Sequence, residues 1–220
     1  MEKPFPYQLY LVISEEACLG RNFLEVAEAA VQGGVDLVQL REKNDTPQEF
    51  LNKAFELKEL LDRYEVPLII NDNLEIATQC KAAGIHVGNS DMLPTTIRKS
   101  WESGTILGYS IEYLEQLYNE QTYTSDYLGI SPVFSTSTKT DTVTTWGFDG
   151  VRKIRSITQK PLVAIGNMNA SNARQVVEAG ADCIAVVSAI CAAPKPKNAA
   201  QLLRKEIQKG LKNRANLLNL

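Results

Sequence analysis

The chain has 220 residues, of which 44% are hydrophobic, and a formal net charge of −3. That length holds one large domain or two small ones, and the apolar content suffices for a full core. The slightly acidic balance excludes a general polyanion binder of the nucleic-acid type, and no apolar run approaches the roughly 18 residues of a membrane span.

In chain order, short apolar runs alternate with longer amphipathic segments. Strands are predicted at Leu9 to Ile13, Leu37 to Leu40, Leu68 to Ile70, Ile85 to Val87, Ile106 to Tyr109, Tyr127 to Ile130, Leu162 to Ile165 and Ile184 to Val187. Between the first two lies a helix over Phe23 to Gln32, stopped by Gly33-Gly34. Thr46-Pro47-Gln48-Glu49 opens the next, with Thr as cap, Pro in the first turn and Glu three residues after Thr. Asn169 to Glu178 is helical and ends before Gly180, Leu202 to Leu211 is a closing helix, and residues 211–220 read as a loose tail. Cys18, Cys80, Cys183 and Cys191 are widely spaced, without the pairing of a metal knuckle, and no leader segment is evident. They read as reduced, buried residues of a cytoplasmic protein.

Eight strands alternating with helices predict parallel pairing through right-handed crossovers. An open doubly wound sheet competes with a closed (βα)8 TIM barrel. The phrases Gly33-Gly34-Val35-Asp36-Leu37, Ala83-Gly84-Ile85-His86-Val87 and Ala179-Gly180-Ala181-Asp182-Cys183 repeat one helix-to-strand turn. That repeat, without a linker or composition shift, favours a single barrel domain over residues 1–220.

In such a barrel the C-terminal ends of the strands share one face, where ligands bind. That face would collect Gln39, Arg41 and Lys43; Asn71 and Asp72; Asp91; Ser110; Thr136, Thr138 and Lys139; Gly166 and Asn167; and Val187 with Ser188. Taken singly, most have a plain reading as loop charges, helix caps or turn residues. His86, the only histidine, reads as a core residue rather than a general base. Taken together they describe a site for a metal-bound polyphosphate. Asp72 and Asp91 suit Mg²⁺, Arg41, Lys43 and Lys139 suit a pyrophosphate, and Gln39 suits a heteroaromatic ring. The turn at Gly166 and the helix start at Ser188 suit a second phosphate.

These motifs resemble the thiamine-phosphate synthase family over nearly the whole chain: LYLV from Leu9, QLREK from Gln39, IIND from Ile69, GIHVGNSDM from Gly84, GYS from Gly108, DYLGISPVFSTSTK from Asp126, VAIGN from Val163 and GADCIAVVSAI from Gly180. The resemblance implies a (βα)8 barrel, a homodimer, and the joining of an aminopyrimidine methyl pyrophosphate to a thiazole phosphate through a pyrimidine cation. It implies Mg²⁺ on Asp72 and Asp91, pyrophosphate contacts from Arg41, Lys43, Asn71 and Lys139, a pyrimidine contact from Gln39, and Ser110 beside the leaving group. Thr136, Thr138, Gly166, Val187 and Ser188 would line the thiazole side. Asn167 stands where the family usually has a second glycine, and asparagine is the next residue to tolerate a left-handed backbone. Ser131 and Ser135 replace a usual Gly and Pro, Ile111-Glu112 replace a usual Thr-His, and Trp146 is large for its position. Three rivals remain: a thiazole tautomerase, which would need a histidine after the fifth strand; a non-catalytic sensor of thiamine phosphates; and an isomerase of sugar phosphates, for which Glu42 is the one obvious acid.

Overall fold

The computed structural model describes residues 5–101, 104–136 and 144–218. Eight parallel strands, β1 (Leu9–Ile13), β2 (Leu37–Leu40), β3 (Leu68–Asn71), β4 (Gly84–Val87), β5 (Ile106–Ile111), β6 (Tyr127–Ile130), β7 (Leu162–Ala164) and β8 (Cys183–Val186), pair in sequence order. β8 returns to β1, with Leu9 opposite Ile184, so the sheet is a closed barrel and the open alternative is excluded. The helices are α1 (Phe23–Gln32), α2 (Pro47–Asp62), α3 (Leu74–Gln79), α4 (Pro94–Ser100), α5 (Glu120–Thr124), α6 (Gly147–Ile157), α7 (Ala173–Glu178), α8 (Ser188–Cys191) and α9 (Pro196–Leu218). No helix among the described residues is long and apolar enough to cross a membrane.

The local signals act as their chemistry requires. The Thr46 hydroxyl accepts from the Glu49 amide at 3.3 Å while the Glu49 carboxylate accepts from the Thr46 amide at 2.9 Å, a reciprocal cap for α2. Strand alternation divides the core in two. Leu9, Leu11 and Ile13 face the helices, whereas Tyr10 and Val12 face the barrel interior with Leu37, Ile69, Tyr127, Val163, Cys183 and Ala185.

Two of the three repeated turn phrases carry an aspartate, Asp36 and Asp182, that staples the N-terminal mouth. Asp36 accepts from the backbone amides of Gln8 and Leu9, at 3.1 and 2.9 Å, and pairs with Arg204. Asp182 accepts from Leu162 at 2.9 Å and pairs with Arg155 and Arg214, both at 2.9 Å. Asp126 repeats the device with the Leu107 amide, at 2.7 Å, and Arg98. Each carboxylate therefore joins the start of one strand to that of its neighbour, with an arginine neutralising it.

Arg204 and Arg214 belong to α9, which replaces the loose tail expected over 211–220 as far as residue 218, the last one described. The helix continues through Leu218 because Arg214 also donates to the Ala181 carbonyl at 2.9 Å, and Asn213 donates to Glu178 at 2.6 Å. Asp182→Ala would leave two partly buried guanidiniums without their carboxylate, and we expect a loss of about 2 kcal/mol. Urea denaturation followed by circular dichroism measures it, and an unchanged midpoint would remove the staple from the account of stability.

Candidate active site

At the opposite mouth the strand ends enclose a cavity of about 350 Å³. Its wall contains Gln39, Arg41, Lys43, Asn71, Asp72, Asp91, Ser110, Thr136, Gly166, Asn167, Val187 and Ser188, twelve of the fourteen positions expected from sequence. Thr138 and Lys139 lie outside the described residues. Ser131 and Ser135 also face the cavity.

One rim carries the charge. Asp72 sits at φ +59°, a conformation that costs a non-glycine residue energy and recurs at functional positions. Its Oδ2 accepts from Lys43 Nζ and from Asn71 Nδ2, each at 2.6 Å. Asp91 accepts from the Gly88 amide at 2.7 Å and faces Asp72. Burial and the facing Asp72 carboxyl together push Asp91 above the usual carboxylate range. Two carboxylates converging beside a lysine form an oxygen-only donor set, which fits a hard divalent cation that keeps water and phosphate oxygens in its shell. Such an ion would relieve the repulsion that raises Asp91. No cluster of three metal-ligating side chains occurs among the described residues, so the pair offers two protein ligands and no closed cage.

The loop that presents Arg41 and Lys43 is braced from below. Lys53 of α2 reaches Glu15 at 2.6 Å, Asp45 at 2.8 Å and Glu42 at 3.6 Å, and Glu42 accepts from the Glu15 amide at 2.8 Å. Burial of Lys53 works against its charge, but the hydrogen bonds it donates to Asp45 and Glu15 and the nearby Glu42 outweigh it and raise the ammonium pKa. Glu42 therefore points away from the cavity wall. The acid that an isomerase would have required is a structural anchor.

The other rim is uncharged. Gly166 has φ +109°, and a Cβ there would meet the backbone of Val133 at 2.9 Å, so the residue must be glycine. Asn167 follows at φ +51°, the left-handed conformation expected for it. Its carbonyl accepts from Asn172 at 3.0 Å and Asn169 at 3.2 Å, which hold the turn. Val187 and Ser188 lead into the first turn of α8.

Sequence reasoning missed the floor. Gln39 Nε2 donates to the Tyr10 hydroxyl at 2.7 Å, Tyr10 and Tyr127 hydroxyls meet at 3.1 Å, Tyr127 meets His86 Nδ1 at 2.9 Å, and His86 Nε2 meets Ser110 Oγ at 2.8 Å. His86 is a polar link in the cavity wall, not the core histidine expected. The available signal was strand parity. Tyr10, Tyr127 and His86 all occupy inward positions of their strands, where a polar atom needs a partner.

Comparison with known proteins agrees with this geometry. A family model described as thiamine monophosphate synthase matches residues 9–190. The chain is similar to a thiamine-phosphate synthase of Albidiferax ferrireducens, 48% identical over 91% of each chain. It is also similar to a thiamine-phosphate synthase of Vibrio campbellii, 42% identical over 90% of this chain and 96% of the relative. A solved thiamine phosphate pyrophosphorylase of Pyrococcus furiosus superposes with a TM-score of 0.84 at 30% identity, covering 94% of this chain and 98% of that one. A family match over most of the chain and relatives of this identity leave one assignment: the chain belongs to the thiamine monophosphate synthase family.

Proposed function

We propose that the protein works as a thiamine-phosphate synthase, with the cavity at the C-terminal mouth as its active site. It would join an aminopyrimidine methyl pyrophosphate to a thiazole phosphate, giving thiamine phosphate and pyrophosphate. The observation that carries the site assignment is the division of one cavity into a charged rim, built from Arg41, Lys43, Asn71, Asp72 and Asp91, and an uncharged rim at Gly166, Val187 and Ser188. Two anionic substrates of unequal charge fit that division.

Asp72 and Asp91 are the residues that would hold Mg²⁺, whose chemistry there is to offset the charge of the pyrophosphate. Arg41 and Lys43 supply further positive charge at the same end, and Lys139 joins them by its motif. Gln39 holds the pyrimidine ring. The bond from the methylene carbon to the pyrophosphate oxygen breaks with its electron pair on that oxygen, and the ring stabilises the cation left behind. The lone pair of the thiazole nitrogen then forms the new carbon–nitrogen bond, and the positive charge ends on the thiazolium. No proton need move in either step. Ser110 lies beside the departing group, and Thr136, Thr138, Gly166, Val187 and Ser188 receive the thiazole phosphate. A homodimer in the cytoplasm belongs to the same reading, on the strength of the resemblance.

Product formation from the two substrates, with Mg²⁺ and with EDTA, tests the reading, and metal-dependent thiamine phosphate is the expected result. Asp72→Asn and Asp91→Asn should each lower kcat about a hundredfold or more while thermal unfolding stays near the wild type. Full turnover in both variants would exclude them as metal ligands. Asn167→Gly should leave kcat/KM for the thiazole phosphate equal or higher, because glycine adopts the same φ without strain. A large loss would give the Asn167 side chain a direct role in binding.

A further inference from the structure

The floor of the cavity is a continuous run of hydrogen bonds across five side chains from five different strands: Gln39, Tyr10, Tyr127, His86 and Ser110. Tyr10 is 1% exposed and Tyr127 fully buried, and burial raises both phenols well above their ordinary range. Each therefore keeps one proton to donate, and each must also accept one. In such a run the direction of one bond sets the direction of all the others.

The barrel makes room for this arrangement with two glycines. A Cβ on Gly108 would collide with the Tyr127 ring and with His86 Nδ1, and one on Gly129 would lie 3.0 Å from His86 Cε1. The imidazole stacks on the Tyr127 ring, with centroids 5.5 Å apart and planes at 23°, and Phe5 packs on the same ring at 4.9 Å.

We propose that the run is directed from Gln39 to Ser110, holding His86 as its neutral Nε2–H tautomer, and that Tyr10, Tyr127 and His86 are positioning residues for the two side chains that meet the pyrimidine substrate. The proposal rests on the synthase reading above for what binds, and on geometry for the direction. One N–H of the Gln39 amide goes to Tyr10, so Tyr10 donates to Tyr127, Tyr127 donates to His86 Nδ1, and His86 Nε2–H donates to Ser110 Oγ. Gln39 then presents its carbonyl oxygen as an acceptor, and the Ser110 hydroxyl keeps its own proton as a donor. The reverse direction would spend the Ser110 proton on His86 and turn only lone pairs towards the charged rim, where the pyrophosphate is expected to sit. A donor facing an anion is the favourable polarity. The chain thus presents a fixed acceptor at one end of the floor and a fixed donor at the other, before any substrate arrives.

The single histidine makes the test direct. Untagged, ¹⁵N-labelled protein, free of substrate and at neutral pH, gives one imidazole in a long-range ¹H–¹⁵N correlation spectrum. The expected pattern is a protonated, pyrrole-type Nε2 and a bare, pyridine-type Nδ1. A proton on Nδ1, or averaging between the two nitrogens, overturns the proposal. Tyr127→Phe keeps the ring and removes the hydroxyl. It should abolish the tautomer preference and lower kcat about tenfold with little change in KM for the thiazole phosphate. An unchanged spectrum and an unchanged rate in that variant would also overturn it. The tautomer is read without substrate, so the wrong tautomer sinks the chain even in an active synthase. An inactive wild type with the expected tautomer sinks the synthase reading instead.

Discussion

Two ion pairs tie α9 across the seam where the barrel closes, beside the buried packing of Ala200, Leu203 and Ile207. Arg204 binds the carboxylate of Asp36, just before β2, and Arg214 that of Asp182, just before β8. Between them these carboxylates accept from amides at the starts of β1 and β7. One helix thus ties both sides of the seam where the last strand meets the first. A parallel sheet that failed to close there would expose unpaired edges and lose the convergence of its strand ends. The candidate site gathers its residues from the ends of several strands, β2, β3, β5, β7 and β8 among them, so the geometry of the top face depends on the barrel being closed.

The interior between the two mouths is graded. Near the staples it is apolar, with Leu37, Ile69 and Cys183 fully buried. Above them lies the polar floor, where each buried hydroxyl and amide is satisfied by the next. Charge appears only at the rim, with Lys43, Asp72 and Asp91 partly exposed. Burying those charges deeper would cost several kcal/mol each. A polar floor of neutral groups instead lets an uncharged ring descend while a pyrophosphate stays near water and counter-ions. On the proposed reading, the depth of each group in the barrel orients the substrate before any specific contact is counted.

Much of this was legible in the sequence because it is local. The bounds of β1, β2, β6 and α1 agree with the hydrophobic pattern, and Thr46 and Glu49 cap α2 as their spacing required. The left-handed Asn167 followed from the small set of residues that adopt that conformation. Other features were illegible because they are contacts between distant residues. Tyr10 and Tyr127 stand 117 positions apart and each reads alone as a core aromatic. Glu42 lies between two cavity residues, Arg41 and Lys43, yet turns outward because Lys53 offers a countercharge from a different element. The helical course of residues 211–218 also rests on distant partners, since Asn213 and Arg214 bond to α7 and the turn after it.

The outward turn of Glu42 also separates this protein from the proton-transfer enzymes that share its architecture. An isomerase or tautomerase needs an acid and a base beside the carbon that changes. Here Glu42 is bound beneath the loop, and Ile111-Glu112 occupy the place where a tautomerase would carry its histidine, with Glu112 buried and bonded to Asn89 at 2.9 Å. His86 has hydrogen bonds at both ring nitrogens. Asp72 and Asp91 are set against one another and against Lys43 rather than aimed at the floor. What remains in the described wall is a set of cations, amides and hydroxyls. Such groups bind charge as it moves and take no proton themselves. Substitution at a carbon whose leaving group is pyrophosphate requires that and little more, since the electron pair leaves on one anion and arrives from a neutral nitrogen.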